Sequence, residues 1–176
     1  MDWSYQVQQE DGTVRDLVQC IPSGWCLMVL FRHAECMECN LLVHELNELQ
    51  NHLEEWDVTI LGIGNSSVDA LFRLRKRLGI SSDIGLYTHG ERKLHADLKL
   101  YNSFWRAWGP RAIWNTIKGF QRGHVQQSLG FPMGQQSGVV LLNPDKESVW
   151  IHRSQFLGDI PTQGEILEQV LIHRGV

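Results

Sequence analysis

Two patterns of apolar and polar positions alternate along the first half of the chain. Trp25-Cys26-Leu27-Met28-Val29-Leu30-Phe31 is apolar without a break, as expected of a central strand covered on both faces. Beyond it, Leu42, Leu46, Leu49, Leu53 and Trp56 recur every three or four residues, which predicts one apolar helical stripe. Val58 to Ile63 is apolar again, a second strand. Asn65-Ser66-Ser67 offers caps for a helix expected to turn Val68, Leu71, Phe72, Leu74 and Leu78 inward and to end at Gly79. Ile84 to Tyr87 reads as a short third strand. Strand, helix, strand, helix, strand implies parallel pairing with right-handed crossovers.

The second half differs. His95 to Phe120 reads as mostly helical, broken at Gly109-Pro110 and carrying Trp105, Trp108 and Trp114, and a loop rich in Gly and Gln runs to Gln136. Gly138 to Leu142 and Ser148 to His152 flank Asn143-Pro144-Asp145-Lys146-Glu147, a hairpin pattern. Gln163 to His173 then predicts a last helix with Ile166, Leu167, Val170 and Leu171 on one face. A parallel βαβ half followed by an antiparallel hairpin and covering helix is the order of a thioredoxin-type α/β fold with a central mixed sheet flanked by helices. We expect one domain over 1–176, with 1–14 as an N-terminal extension and 95–136 as a helical, Trp-rich insert before the C-terminal hairpin.

Composition narrows the classes. The chain has 176 residues, enough for a core without disulfide staples. Its net charge of −4 argues against a general nucleic-acid binder. No apolar run approaches the ~20 residues of a membrane span. The N-terminus has no basic-then-apolar leader pattern. Four cysteines are too few for a disulfide framework, so a reducing, cytoplasmic setting with chemically active thiols is expected. The charge is also uneven. Leu98 to Pro144 holds Lys99, Arg106, Arg111, Lys118 and Arg122 and no acidic residue, whereas the remainder is strongly acidic. The insert reads as a solvated face packed by its tryptophans, as a lid steering substrate to the site, or as a weak membrane-surface element.

The chemistry concentrates at Cys36-Met37-Glu38-Cys39, placed where the first strand gives way to its helix. At a helix N-terminus the first-turn amides and the helix dipole favour a thiolate at Cys36. The two-residue gap lets Cys39 close a disulfide. In this reading Cys36 attacks and Cys39 resolves. Arg32 and His33 favour the thiolate, and Glu35 and Glu38 oppose it. The alternative is a zinc site, with Cys20 and Cys26 completing four thiolates. Cys26, inside an apolar strand, reads more simply as core, and we expect no metal.

The run Phe31-Arg32-His33-Ala34-Glu35-Cys36-Met37-Glu38-Cys39 resembles the signature of the peroxiredoxin-like branch of the AhpC/TSA (alkyl hydroperoxide reductase/thiol-specific antioxidant) superfamily. Leu61-Gly62-Ile63-Gly64, Leu100-Tyr101-Asn102-Ser103-Phe104, Arg122-Gly123-His124, Gly138-Val139-Val140 and Ile151-His152-Arg153 support the likeness in order. The resemblance implies a thiol-dependent oxidoreductase acting on a peroxide or a disulfide. A thioredoxin- or glutathione-type reductant would regenerate it, and no cofactor is implied. Cys36 and Cys39 would be the redox pair and Arg32 and His33 the accompanying Arg-His pair. Ser137 stands where such proteins usually carry a proline before the Gly-Val strand, which favours a small oxidant over a docked protein disulfide. The competing class is a non-catalytic interaction module built on the basic, Trp-rich insert.

Overall fold

The computed structural model describes residues 2–90, 93–100, 135–156 and 158–175. Its centre is β3 (Trp25–Phe31), the apolar run. It pairs in parallel with β4 (Val58–Gly64), from Trp25 opposite Val58 to Phe31 opposite Gly64, and antiparallel with β6 (Gly138–Leu142). β5 (Gly85–Thr88) lies parallel to β4, and β7 (Ser148–Arg153) closes the hairpin with β6. The mixed parallel and antiparallel sheet is that of the expected thioredoxin-like fold.

The alternating side chains of β3 divide the core in two. Leu27, Val29 and Phe31 face α2 (Met37–Glu55), α3 (Val68–Leu78) and α5 (Gln163–Arg174), meeting Leu42, Leu46, Leu49, Leu53, Leu71, Leu74, Ile166 and Val170. Cys26, Met28 and Leu30 face the other way, toward α1 (Leu17–Cys20) and α4 (Lys93–Asp97), with Leu17, Leu94, Leu98 and Val140. A strand with a core on each face has no polar side to show. Its unbroken apolar run follows from that.

Local chemistry sets the helix ends. Ser67 caps α3 by accepting the Ala70 N–H, and Gly79 ends it in the left-handed conformation. Thr162 and Glu165 form a reciprocal capping box at the start of α5. One expected inward residue of α3 points out: Phe72 is 59% exposed. The buried positions are Ala70, Leu71 and Leu74. At 100° per residue, position 72 falls on nearly the opposite face from that stripe.

The N-terminal segment is more than an extension. β1 (Gln6–Gln9) and β2 (Val14–Asp16) form a hairpin that adds to the sheet beside β5, giving the order β2-β1-β5-β4-β3-β6-β7. Trp3, Tyr5 and Val7 are buried. Trp3 Nε1 donates to the Lys146 carbonyl at 2.8 Å, and Tyr5 Oη donates to Asp97 Oδ2 at 2.6 Å. The alternation Trp3, Tyr5, Val7 was the available signal, diluted by the glutamines between and after them. Of the insert over 95–136, the structure describes only its ends. Trp105, Trp108, Trp114, four of the five basic residues of the acid-free window (all but Lys99) and the Arg122-Gly123-His124 motif lie outside the described residues. Among the described residues no helix is long and apolar enough to cross a membrane.

Candidate active site

Strand β3 ends at Phe31, opposite Gly64 at the end of β4, and the Phe31 ring lies over the glycine. A Cβ built on Gly64 would stand 1.9 Å from Phe31 Cε2, so only glycine fits there. The chain then leaves the sheet through Arg32-His33-Ala34-Glu35 and enters α2 at Cys36. This loop is tied down from a distance. Its Arg32 carbonyl accepts the Asn65 N–H at 3.3 Å, and the Ala34 N–H donates to Ser66 Oγ at 2.7 Å. Arg77 Nη2 donates to the Ala34 carbonyl at 3.2 Å. Ser66 is held in turn by Thr88, whose Oγ1 accepts the Ser66 N–H at 3.1 Å.

Cys36 is the N-cap of α2, and its side chain makes no cap hydrogen bond. The Cys36 N–H donates to the His33 carbonyl at 3.1 Å, and the Asn40 N–H donates to the Cys36 carbonyl at 3.0 Å, opening the helix. Cys39 follows one turn in. Both sulfurs are enclosed: Cys36 is 0% and Cys39 3% exposed, and no disulfide joins them. Arg32 contacts both. Its backbone N–H donates to Cys39 Sγ at 3.2 Å, and its Nη1 lies 3.8 Å from Cys36 Sγ.

Burial alone pushes the Cys39 thiol up. A hydrogen bond from Cys36, the Arg32 charge and the backbone amides of His33 and Arg32 outweigh it, and the thiol is held below its ordinary value. Cys36 is thus a hydrogen-bond partner that helps hold the Cys39 thiol low. Helix N-terminal geometry at Cys36 is visible in a sequence, whereas the strand-end amide seven residues before Cys39 is not.

His33 is 8% exposed, and its pKa is lowered to about 4, first by burial and then by Arg32, with Glu35 opposing. It is neutral near pH 7, so the positive charge expected from it is absent and Arg32 supplies the cation. Among the described residues its Nε2 has no hydrogen-bond partner. Glu35 pairs with Arg73, Oε1 to Nη2 at 3.3 Å, which offsets its repulsion of a thiolate. The side chain of Glu38 lies outside what is described. Ser137 is buried at the start of β6, and its Oγ shares a hydrogen bond with Ser154 Oγ at 2.9 Å.

Cys20 and Cys26 are on the other side of the sheet. Cys26 belongs to the core beneath α1, with Cys20 packed against it, whereas Cys36 and Cys39 belong to the core under α2. The sheet thus separates the two pairs, so a four-thiolate metal site cannot form. Burial pushes the Cys26 thiol up strongly, as for a small core hydrophobe. Sequence reasoning missed the loop anchors Ser66, Arg73 and Arg77, since their partners lie on other elements and no local motif marks them.

Known proteins place this geometry. The chain aligns over 98% of its length with a cysteine-to-serine mutant of peroxiredoxin Q from Xanthomonas campestris, covering 92% of that chain at a TM-score of 0.66 and 14% identity. The peroxidoxin BcpB of Mycobacterium tuberculosis matches with a TM-score of 0.67 at 13% identity, over 98% of this chain and 92% of that one. A peroxiredoxin-like protein of Aquifex aeolicus matches with 0.62 at 10% identity, over 94% and 81%. At these identities the likeness is one of fold. No curated protein sequence matches. The family model described as AhpC/TSA antioxidant enzyme matches residues 45–155, which begins after Cys39 and takes in most of the sheet. With more than half its length matched, the chain belongs to the AhpC/TSA antioxidant enzyme family.

Proposed function

We propose that this protein is a thiol peroxidase in which Cys39 and Cys36 cycle between dithiol and disulfide. The observation that carries the reading is the double contact of Arg32, whose amide donates to Cys39 Sγ and whose guanidinium lies against Cys36 Sγ. The Cys39 thiolate attacks one peroxide oxygen, the O–O bond breaks, and the departing alkoxide or hydroxide takes up a proton, leaving a sulfenic acid. The Cys36 thiol then attacks that sulfur, water leaves, and the disulfide forms. Arg32 stabilises the charge that develops on the departing oxygen. An external thiol returns two electrons and two protons. Sulfur carries the redox change and the steps need no cofactor.

Burial of both sulfurs supports a small oxidant such as a peroxide over a protein disulfide. The test is reductant-dependent peroxide consumption by the wild type beside two variants, with intact mass after one equivalent of peroxide. The wild type should lose two hydrogens. Cys39→Ser should be inert, and Cys36→Ser should be trapped as a sulfenic acid or a mixed disulfide. Inert thiols in the folded wild type would return the protein to the class of non-catalytic interaction modules. Trapping in Cys39→Ser instead would return the attacking role to Cys36.

A further inference from the structure

Helix α3 presents an unusual outer face. Phe72 is 59% exposed, and with Arg73, Lys76 and Arg77 it lines a surface groove of 440 Å³. Aromatic and arginine side chains together are enriched where proteins bind proteins. The three cations stand out on a chain whose net charge is −4.

This face adjoins the redox loop directly. Arg73 Nη2 holds Glu35 Oε1 at 3.3 Å, and Arg77 Nη2 holds the Ala34 carbonyl at 3.2 Å. Both contacts are within two residues of Cys36, which is itself enclosed. A reductant that engages the two arginines competes for the groups that keep the loop in place. The position before β6 holds Ser137 in place of a proline, and its hydroxyl is committed to Ser154.

We propose that Phe72, Arg73, Lys76 and Arg77 form the docking surface for the protein that reduces the Cys36–Cys39 disulfide, a partner with an apolar patch rimmed by carboxylates around its own dithiol. The inference rests on the dithiol cycle proposed above. A thiolate of the partner attacks the Cys36–Cys39 disulfide, giving a mixed disulfide and releasing one cysteine. The partner's second thiol then breaks that bond. The partner leaves oxidised, and two electrons and two protons have passed to Cys36 and Cys39. Opposite charges steer the encounter, and the exposed aromatic ring gives the complex an apolar centre.

The experiment uses full-length protein oxidised with one equivalent of peroxide. Its reduction is timed with three donors: dithiothreitol, glutathione, and a thioredoxin-type dithiol protein of net negative charge. The wild type is compared with Phe72→Ser and Lys76→Glu; the hydrogen bond and ion pair from this face to the loop come from Arg73 and Arg77 instead. We expect the protein donor to slow by tenfold or more in each variant, the wild-type rate to fall with added salt, and dithiothreitol to be unaffected. Several results would overturn the proposal: equal slowing with dithiothreitol, no slowing with the protein donor, or a wild type that dithiothreitol reduces and the acidic protein does not. Slowing with glutathione to the same extent would reassign the face to a small anionic thiol. Binding of phosphatidylserine vesicles lost in both variants, with protein reduction unchanged, would reassign it to a membrane surface. If peroxide forms no disulfide at all, the dithiol cycle itself fails, a result distinct from any of these.

Discussion

The amide of Arg32 donates to the sulfur of Cys39 at 3.2 Å, joining the end of the central strand to the first turn of the helix that follows it. The donor is part of the backbone, so substitution of the arginine side chain leaves it in place. One residue therefore supports the pair in two separable ways, by a fixed dipole at Cys39 and by a full charge near Cys36.

Removing the charge alone separates the two. Arg32→Met keeps the amide and the fold and should lower kcat/KM for peroxide by about a hundredfold, the cost of losing one stabiliser of a developing oxyanion. Thiol alkylation should slow far less. Steady-state kinetics beside iodoacetamide labelling checks this, and equal losses in both would place Arg32 in thiolate formation only.

Cys36 contributes a hydrogen bond that lowers the Cys39 pKa. In Cys36→Ala the alkylation midpoint of Cys39 should move to higher pH. The folded value lies below the ordinary 9.0, so the thiolate adds stability that is fullest above 9.0 and fades as pH falls through the folded value. The variant should lose part of that alkaline increment. Labelling rate against pH, followed by mass, reads the shift.

His33 gives a second pH signature. Its folded pKa of about 4 lies below the ordinary 6.5, so its neutral form stabilises the fold above 6.5. As pH falls from 6.5 toward 4 that contribution is lost, about 3 kcal/mol in all. His33→Asn should show a shallower decline in thermal stability across that window than the wild type does. Parallel melting curves from pH 7 to 4 would decide it.

Gly64 has no room for a side chain. Gly64→Ala should destabilise the protein by about 1–3 kcal/mol, the usual cost of overpacking, because the Phe31 ring is fully buried and cannot swing clear. The double variant Gly64→Ala with Phe31→Leu should recover part of the loss. Denaturant melts of the single and double variants measure the coupling.

Much of the framework was legible in advance because it is governed by short-range patterns. Trp25–Phe31 fits a strand covered on both faces, and the Leu42 to Leu53 period fits a buried helical stripe. The junction between them located Cys36 at a helix N-terminus before any coordinates. Phe72 was misjudged because an apolar residue next to a helical stripe looks like part of it, and only its angle about the helix axis puts it in solvent. The N-terminal hairpin was obscured because Gln6, Gln8 and Gln9 weaken the apolar alternation of a strand that is recognised only beside its neighbours β2 and β5.

The sequence by itself determined the order of strands and helices from Trp25 to Thr88 and of the closing hairpin and helix, the CxxC pair between strand and helix, and the resemblance that matched the family. Periodicity and spacing are properties of neighbouring residues, so they survive in one dimension. Tertiary structure decided the rest. It set the Arg32 amide against the Cys39 sulfur, left His33 neutral, put Cys20 and Cys26 behind the sheet, and anchored the loop to Ser66 and Arg77. Each depends on burial or on a hydrogen bond made where separate segments meet in space. Desolvation and short-range electrostatics take their values from that enclosure, and it exists only once the chain has folded.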